Sequence, residues 1–402
     1  MKTRATCMGI AFVSLLGTTS CGVPAEDQPA AVAIEAAIAS CDGSWTVTDS
    51  PNVGGGDNAL ASVSGARADD VWAVGQFAPD TNPDITLTLA EHFDGQAWSV
   101  VETPNLGTNH GNALLAVAAL SGRAWAVGYD IGSDYLAHSL IEAWDGSAWT
   151  VVSHHQPFET ENLYGVAAVA PDDVWAVGSG RDGEGPFQAV ALHFDGHHWR
   201  SIPPVDPGRN GNVLYSVAAR SADDVWAVGQ QIGDAPPDRV LVEHWDGRRW
   251  SVVPVDAPAD ASKQLLAVDL VGRDDFRAVG DSQDGTVSLR TLAVIGEGNA
   301  LAANDTPNPN LLDDRLTGVA AISDDQTFAV GSTLDDSSGG LQTLIVAGGE
   351  GGPWTRVASP NPSVDGNNQL AMIAKVSGDL WAVGGYDGPD AGQTLILHRC
   401  RR

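Results

Sequence analysis

The sequence predicts an all-β chain, a seven-bladed β-propeller of four-stranded antiparallel blades whose last blade is closed by N- and C-terminal strands. Three observations carry that reading. First, one apolar phrase recurs as Val71-Trp-Ala-Val-Gly75, Ala124-Trp-Ala-Val-Gly128, Val174-Trp-Ala-Val-Gly178, Val225-Trp-Ala-Val-Gly229, Phe276-Arg-Ala-Val-Gly280, Thr327-Phe-Ala-Val-Gly331 and Leu380-Trp-Ala-Val-Gly384. The second residues fall at 72, 125, 175, 226, 277, 328 and 381, so the gaps are 53, 50, 51, 51, 51 and 53. A period near fifty residues in a β pattern belongs to propellers. Second, each phrase stands among three further apolar runs of strand length. Third, each end of the chain supplies half of one repeat.

The elements follow in chain order. Residues 1–21 read as a signal peptide: a basic start, Met1-Lys-Thr-Arg4, an apolar run, and small residues ending at Ser20-Cys21-Gly22. The pattern resembles a bacterial lipoprotein signal, which implies lipidation of Cys21, although Thr18 stands where Leu is usual. Cysteine parity agrees, because Cys7 leaves with the signal and Cys41 and Cys400 can pair, so Cys21 would otherwise be an odd thiol. The alternative is ordinary cleavage, for instance after Ala25. Residues 22–40, rich in Ala with two Pro, form a tether, and residues 41–402 form the propeller.

Within a repeat, the second copy places strands over 114–120, 124–128, 138–144 and 148–153. Asp94-Gly95, Asp145-Gly146, Asp195-Gly196 and Asp246-Gly247 are expected to form two-residue hairpins with positive φ between strands three and four. Asp69-Asp70, Asp172-Asp173, Asp223-Asp224, Asp274-Asp275 and Asp324-Asp325 read as turn formers between strands one and two. Trp98, Trp149, Trp199, Trp250 and Trp354 begin strand four. Recurrence at one position favours packing between blades over a ligand platform. His92, His193, His244 and His398 share one register in strand three, which favours a structural role over metal binding.

The chain begins its first half-repeat at Cys41-Asp42-Gly43-Ser44-Trp45 and stops after Leu395-Ile-Leu-His-Arg-Cys400. Strand four near Trp45 should therefore pair with strand three near Ile396 and close the ring. Cys41 and Cys400 meet at that hairpin, within disulfide reach.

The chain has 402 residues, 46 Gly, 22 Pro and 13 Trp, which suits short strands and many turns. Its net charge of -30, from 51 acidic against 21 basic residues, repels nucleic acid and anionic membrane from most of the surface. Membrane attachment is expected only through the lipid anchor, and the protein is expected to be a monomer outside the cytoplasm, secreted or anchored at the cell envelope.

The phrase Trp-Ala-Val-Gly, followed by a strand, Asp-Gly and a Trp, resembles the kelch repeat over about residues 41–400, most closely at Leu380-Trp-Ala-Val-Gly-Gly385. Six copies lack the second Gly, so the resemblance is to a kelch-like variant. It implies a propeller and leaves activity open, since that group includes oxidases, lectin-like proteins and binding scaffolds. With five Tyr and no Tyr–Cys pairing, a copper radical site is not carried over.

Topology places function on one face. Loops from strand two to three, such as 76–84 and 230–238, and from strand four to the next strand one, such as 154–161 and 304–313, are long and individual. At the channel mouth on that face stand Asn58, Asn112, Asn162, Asn212, Lys263, Asp314 and Asn368. They form a candidate polar ring for a neutral, oxygen-rich ligand, or else cap the strand entrances locally. His110, His154 and His155 lie on the same face. No cofactor is expected beyond weak calcium binding at 80–84 or 281–285, neither of which carries a full ligand set. Gly178-Ser-Gly180-Arg-Asp-Gly183 matches a dinucleotide fingerprint but opens no helix. The expectation is a binding scaffold recognising a glycan or protein partner, with a polysaccharide hydrolase or lyase as the alternative, since dispersed carboxylates leave no local motif.

Overall fold

The computed structural model describes residues 41–401 apart from 107–110, 234–236, 284, 286–287, 311–312, 336–338 and 350–351. The signal, the tether, Cys21 and His110 lie outside the described residues. Seven sheets follow one another, and in each the four antiparallel strands lie in repeat order from the channel outward, the closing blade taking its outermost strand from the start of the chain. The inner strands are Asn58–Arg67, Asn112–Leu120, Thr160–Ala170, Gly211–Ser221, Ser262–Val271, Asp314–Ser323 and Asn368–Val376. In the second blade the other three are Arg123–Ile131, Ala137–Trp144 and Trp149–Val151. The inner pair is thus longer at the long-loop end than the apolar runs indicate. The fifth blade gains a short outer strand, Val255–Asp256, running parallel to Ala300–Asn304.

The repeated phrase is apolar throughout because a blade buries both faces. Alternate side chains of a strand point to opposite sides. Val71 and Ala73 accordingly pack on Val376, Trp381 and Val383 of the seventh blade, while Trp72 and Val74 pack on Leu114, Val117 and Trp149 of the second. The terminal Gly has a separate cause. Each inner strand carries a bulge directly opposite it, between Leu60 and Ser62, Leu163 and Gly165, or Leu214 and Ser216, for example. A Cβ on Gly75 would lie 2.0 Å from the Ala59 carbonyl oxygen, and one on Gly178 would lie 1.9 Å from that of Asn162. The bulge brings backbone too close for any side chain.

Between blades, Trp72 meets Trp144 tilted and Trp149 edge-to-face at 4.9 and 5.1 Å, and Trp175 meets Trp245 and Trp250 likewise at 5.4 and 5.6 Å. Each ring buries about 150–250 Å². The histidines lie on the same tryptophans, His193 on Trp175 and His244 on Trp226, both at 4.4 Å. Their Nε2 atoms meet the second aspartate of the strand-one-to-two turn, as in His193–Asp173 at 2.8 Å and His398–Asp379 at 3.0 Å. Those aspartates thus orient a histidine on the adjacent strand, where turn amides were expected as their partners. The Asp-Gly hairpins also differ from expectation. Phe93 pairs with Trp98 around a four-residue loop, and only the glycine has positive φ, 93° at Gly95. The Asp94 carboxylate accepts the Gln96 and Ala97 N–H groups at 2.8 and 3.0 Å, so the side chain builds the turn.

The ring closes as the chain ends predict: Thr46–Thr48 pairs with the last strand, Thr46 opposite His398 and Thr48 opposite Ile396. Cys41 and Cys400 are disulfide-bonded. Replacing Cys400 by Ser is expected to cost about 2–4 kcal/mol by freeing the unfolded chain. A lower urea midpoint checks this, and an unchanged midpoint would show that strand pairing alone seals the ring.

Candidate functional site

The bulges that require the glycines also aim side chains into the channel. Tyr164 and Tyr215 are bulged residues of the third and fourth inner strands. Their rings lie 5.6 Å apart, tilted by 54°. Both line a central cavity of about 460 Å³ whose remaining wall is mostly Ala, Ser and Val. Burial pushes both phenols up, and Tyr129 acts on Tyr164 through its charge. Three of the chain's five tyrosines therefore gather in one sector of the mouth.

Charged groups complete the sector from the fifth and sixth blades. The Gln264 amide donates to the Asp281 carboxylate at 3.1 and 3.2 Å, and Arg315 Nε donates to Asp281 Oδ2 at 2.7 Å. Asp281 is 5% exposed and Arg315 40%, so the acid is sunk beneath a guanidinium that reaches solvent. Arg315 and Asp281 both act on Tyr215 through their charges. Arg315 also lines a recess of about 330 Å³ together with Thr317, Ser332 and Gln369. The tyrosines share the central cavity with Asp269 and Lys375, while Arg315 lines the separate recess and reaches Tyr215 through its charge. Ring faces, an amide and an oriented guanidinium together suit a ligand rich in hydroxyl or carbonyl oxygens.

The expected polar ring lies one residue away from this surface. Asn58, Asn112, Asn212, Lys263, Asp314 and Asn368 are all buried, and five of them bond the loop that precedes each strand, Asp314 and Asn368 reaching a neighbouring strand as well. Asn58 Oδ1 accepts the Val53 N–H at 2.9 Å and its Nδ2 donates to the Gly56 carbonyl at 2.7 Å. Asn212 binds Gly208 through N–H and carbonyl at 2.9 and 3.1 Å, and Asn368 binds Ser363 likewise, both at 2.8 Å. Lys263 Nζ donates to the Pro258 carbonyl at 2.6 Å and to Asp260 at 3.0 Å. Asp314 accepts the Asn310 N–H at 3.4 Å and the Thr333 hydroxyl. Asn112 sits in the same register beside 107–110, which lie outside the described residues.

Asn162 departs from that set. The residue two before Leu163 is Glu161, so Asn162 falls in the channel-facing register with Gln264 and Arg315, opposite Ser179. Counting from the apolar residue finds the cap, whereas the residue after the cap faces the channel. Alternation of side chains along the strand was the signal that separates them. Asp281 is committed to Gln264 and Arg315, while Asp284 lies outside the described residues. Among the described residues no group of three His, Cys, Asp or Glu could hold a metal ion.

Glu161 is part of a buried chain of bonds. Its Oε1 meets Ser139 Oγ at 2.7 Å, and the same hydroxyl meets His154 Nε2 at 2.7 Å. Burial pushes the Glu161 carboxyl up to about 7 and holds the His154 imidazole below its ordinary value. His155, its neighbour, is exposed. Three more buried acids stand on strand three: Glu91, Glu142 and Glu243, each pushed up to about 8 by burial. Ser50 Oγ donates to Glu91 and the Val205 N–H to Glu243, at 2.8 and 2.9 Å. None of the three lines a described cavity.

No family model matches the sequence, and no curated protein matches it. Similar solved structures include YCF48 bound to D1 peptide, with TM-score 0.53, 11% identity, and coverage of 89% of this chain and 97% of that one. An ulvan lyase of a polysaccharide lyase family, bound to a GlcA(1-4)Rha3S unit, matches with TM-score 0.53, 10% identity and coverage of 86% and 97%. A protein of unknown function from Dyadobacter fermentans matches with TM-score 0.51, 11% identity and coverage of 89% and 98%. At such identities these likenesses speak to architecture. The chain is an all-β, seven-bladed β-propeller closed by its own two termini.

Proposed function

We propose that the protein is an extracytoplasmic, kelch-like binding scaffold that takes a glycan segment at the long-loop mouth of its channel. The observation that carries this reading is the Tyr164–Tyr215 pair beside the Gln264–Asp281–Arg315 cluster. Ring faces cover the apolar side of a sugar, and the amide and guanidinium meet its oxygens. Glu91, Glu142 and Glu243 line no described cavity. Asp269, pushed up to about 6 by burial, lines the central one, so it is the acid that a hydrolytic alternative would have to use, since such an acid must touch the substrate. The disulfide fits an oxidising compartment, and among the described residues no helix is long and apolar enough to cross a membrane. The polypeptide enters the propeller at the strand-three-to-four hairpin, where the Gly43 carbonyl accepts Arg399 Nε at 2.6 Å. That hairpin is on the short-turn face, opposite the proposed site.

A glycan screen with mass analysis of the incubated glycans tests the reading. Saturable binding without new products is expected, weakened more than about tenfold in Tyr215→Ala with Arg315→Ala. Undiminished binding by that variant sinks the site. Turnover products would transfer the mouth to the polysaccharide-active class that the neighbouring lyase represents, and a hit restricted to peptides would replace glycan by protein as the partner.

A further inference from the structure

A second cavity, of about 420 Å³, opens where the sixth blade meets the closing blade, and its lining holds Lys375, Arg399 and Arg401 with no acidic residue. On a chain with a net charge of -30 this convergence is unusual. Its origin is visible in the repeat. At three interfaces a tryptophan of one blade, Trp72, Trp175 or Trp381, meets two aromatic rings of the next, as Trp381 meets Phe93 and Trp98 at 4.9 and 5.4 Å. Here Phe328 replaces the tryptophan and Arg399 replaces one of the rings, its guanidinium 4.6 Å above the Phe328 ring. The smaller ring and the open-chain cation leave space where those three seams hold a tryptophan and two rings.

The acid of the repeat is missing at the same place. Five blades begin strand two with aspartate, at Asp70, Asp173, Asp224, Asp275 and Asp379. The sixth begins it with Gln326, which lines the cavity beside Ser323. The neighbouring Asp379 is engaged by His398 at 3.0 Å and by the Arg401 N–H at 2.9 Å. Lys375 Nζ donates to the Ile322 carbonyl at 3.1 Å, which holds the ammonium at the cavity wall.

We propose that this seam cavity is a binding site for a phosphate-class oxyanion, held by Arg399, Lys375 and Arg401 with Gln326 as a neutral donor. Guanidinium forks and an ammonium suit tetrahedral oxyanions. A neutral amide at the position of the repeat aspartate removes the like-charge repulsion that would otherwise exclude one. Free phosphate and a phospholipid headgroup share this chemistry, and the site lies on the short-turn face where the chain enters.

Calorimetric titration of the full chain with inorganic phosphate, at ionic strength fixed with chloride, tests the proposal. One saturable site is expected, weakened at least about tenfold in Gln326→Asp, which restores the repeat residue. Arg401→Gln, at an exposed position, supplies a second variant with the same expected loss should the first fold poorly. Sedimentation with phosphatidylglycerol against phosphatidylcholine vesicles separates the sources. Phosphate binding without vesicle preference assigns a free anion, and a phosphatidylglycerol preference lost in Gln326→Asp assigns a headgroup. A wild-type chain that binds neither probe, or variants that bind phosphate as tightly as wild type, would overturn the proposal.

Discussion

Stability should rise steeply as pH falls from about 8 to about 5. Glu91, Glu142 and Glu243 are fully buried and pushed up to about 8, and Glu161 to about 7, all from an ordinary 4.5. In the unfolded chain the same groups ionise above 4.5, so unfolding near pH 6.5 releases up to about four protons. Their contribution is complete below 4.5 and is lost as pH climbs through the folded values. Each group contributes about 1.4 kcal/mol per pH unit across its window. His154 opposes this below 6.5, because burial keeps its imidazole neutral, but it is one group against four. The turn aspartates set the acid limit. Backbone N–H groups hold Asp94, Asp195 and Asp246 below 3.8, and the Ser147 hydroxyl with backbone N–H groups does the same for Asp145, so their support disappears only in stronger acid. Urea midpoints from pH 5 to 8 check the slope, and a flat profile would mean that the four acids are ionised in the fold.

One substitution isolates a single acid. Glu142 stands opposite Ala126 on strand three, and Leu192 occupies the same register opposite Ala176 in the third blade. Both Glu142 oxygens are buried with no hydrogen-bond partner among the described residues. Glu142→Leu should therefore stabilise the chain by about 1–3 kcal/mol at pH 7.5 and remove one proton from the slope. An equal loss of stability at every pH would show that the carboxyl has a partner that binds its charged form.

This register also explains what the sequence could and could not convey. Repeat period, strand count and ring closure are properties of apolar spacing, and the phrases at 71–75 through 380–384 carry them in plain view. The mouth is different. Lys263 and Gln264 are adjacent, as are Asp314 and Arg315, and one of each pair caps a loop while the other faces the channel. A shift of one residue reverses a strand's facing. The bulge that aims Tyr164 and Tyr215 is set by pairing with the next strand, which leaves no local signature beyond the opposing glycine. Likewise the Arg399 seam depends on residues about seventy positions apart, Phe328 and Arg399, and composition alone does not join them.

Arg277→Met should be the most damaging single change in the core, costing about 3–5 kcal/mol. Arg277 takes the place of the repeat tryptophan and is only 1% exposed. Its guanidinium donates to the Asp324 carbonyl of the next blade at 3.0 Å and lies 3.6 Å from Asp275. The wider space that admits it is made in the sixth blade. There Gly348 stands where the first four blades carry Phe93, Trp144, Phe194 and Trp245, and the Trp354 ring lies over it, with a Cβ at 348 falling 2.5 Å from that ring. Arginine, glycine and tryptophan thus form one solution to the same interface, and the divergence of blades five and six is a packing change as well as a change at the channel mouth. Methionine matches the aliphatic stem yet removes the guanidinium beside the buried Asp275 carboxylate and the donor to the Asp324 carbonyl, and the loss of these buried charged contacts accounts for the cost. Asp275→Asn added to Arg277→Met should recover more than half of the loss, because the buried charge is then gone. Urea unfolding of the two variants decides it: an Arg277→Met midpoint equal to wild type would show that the guanidinium does not staple these blades, and a double variant no better than the single would place the cost in packing instead of charge.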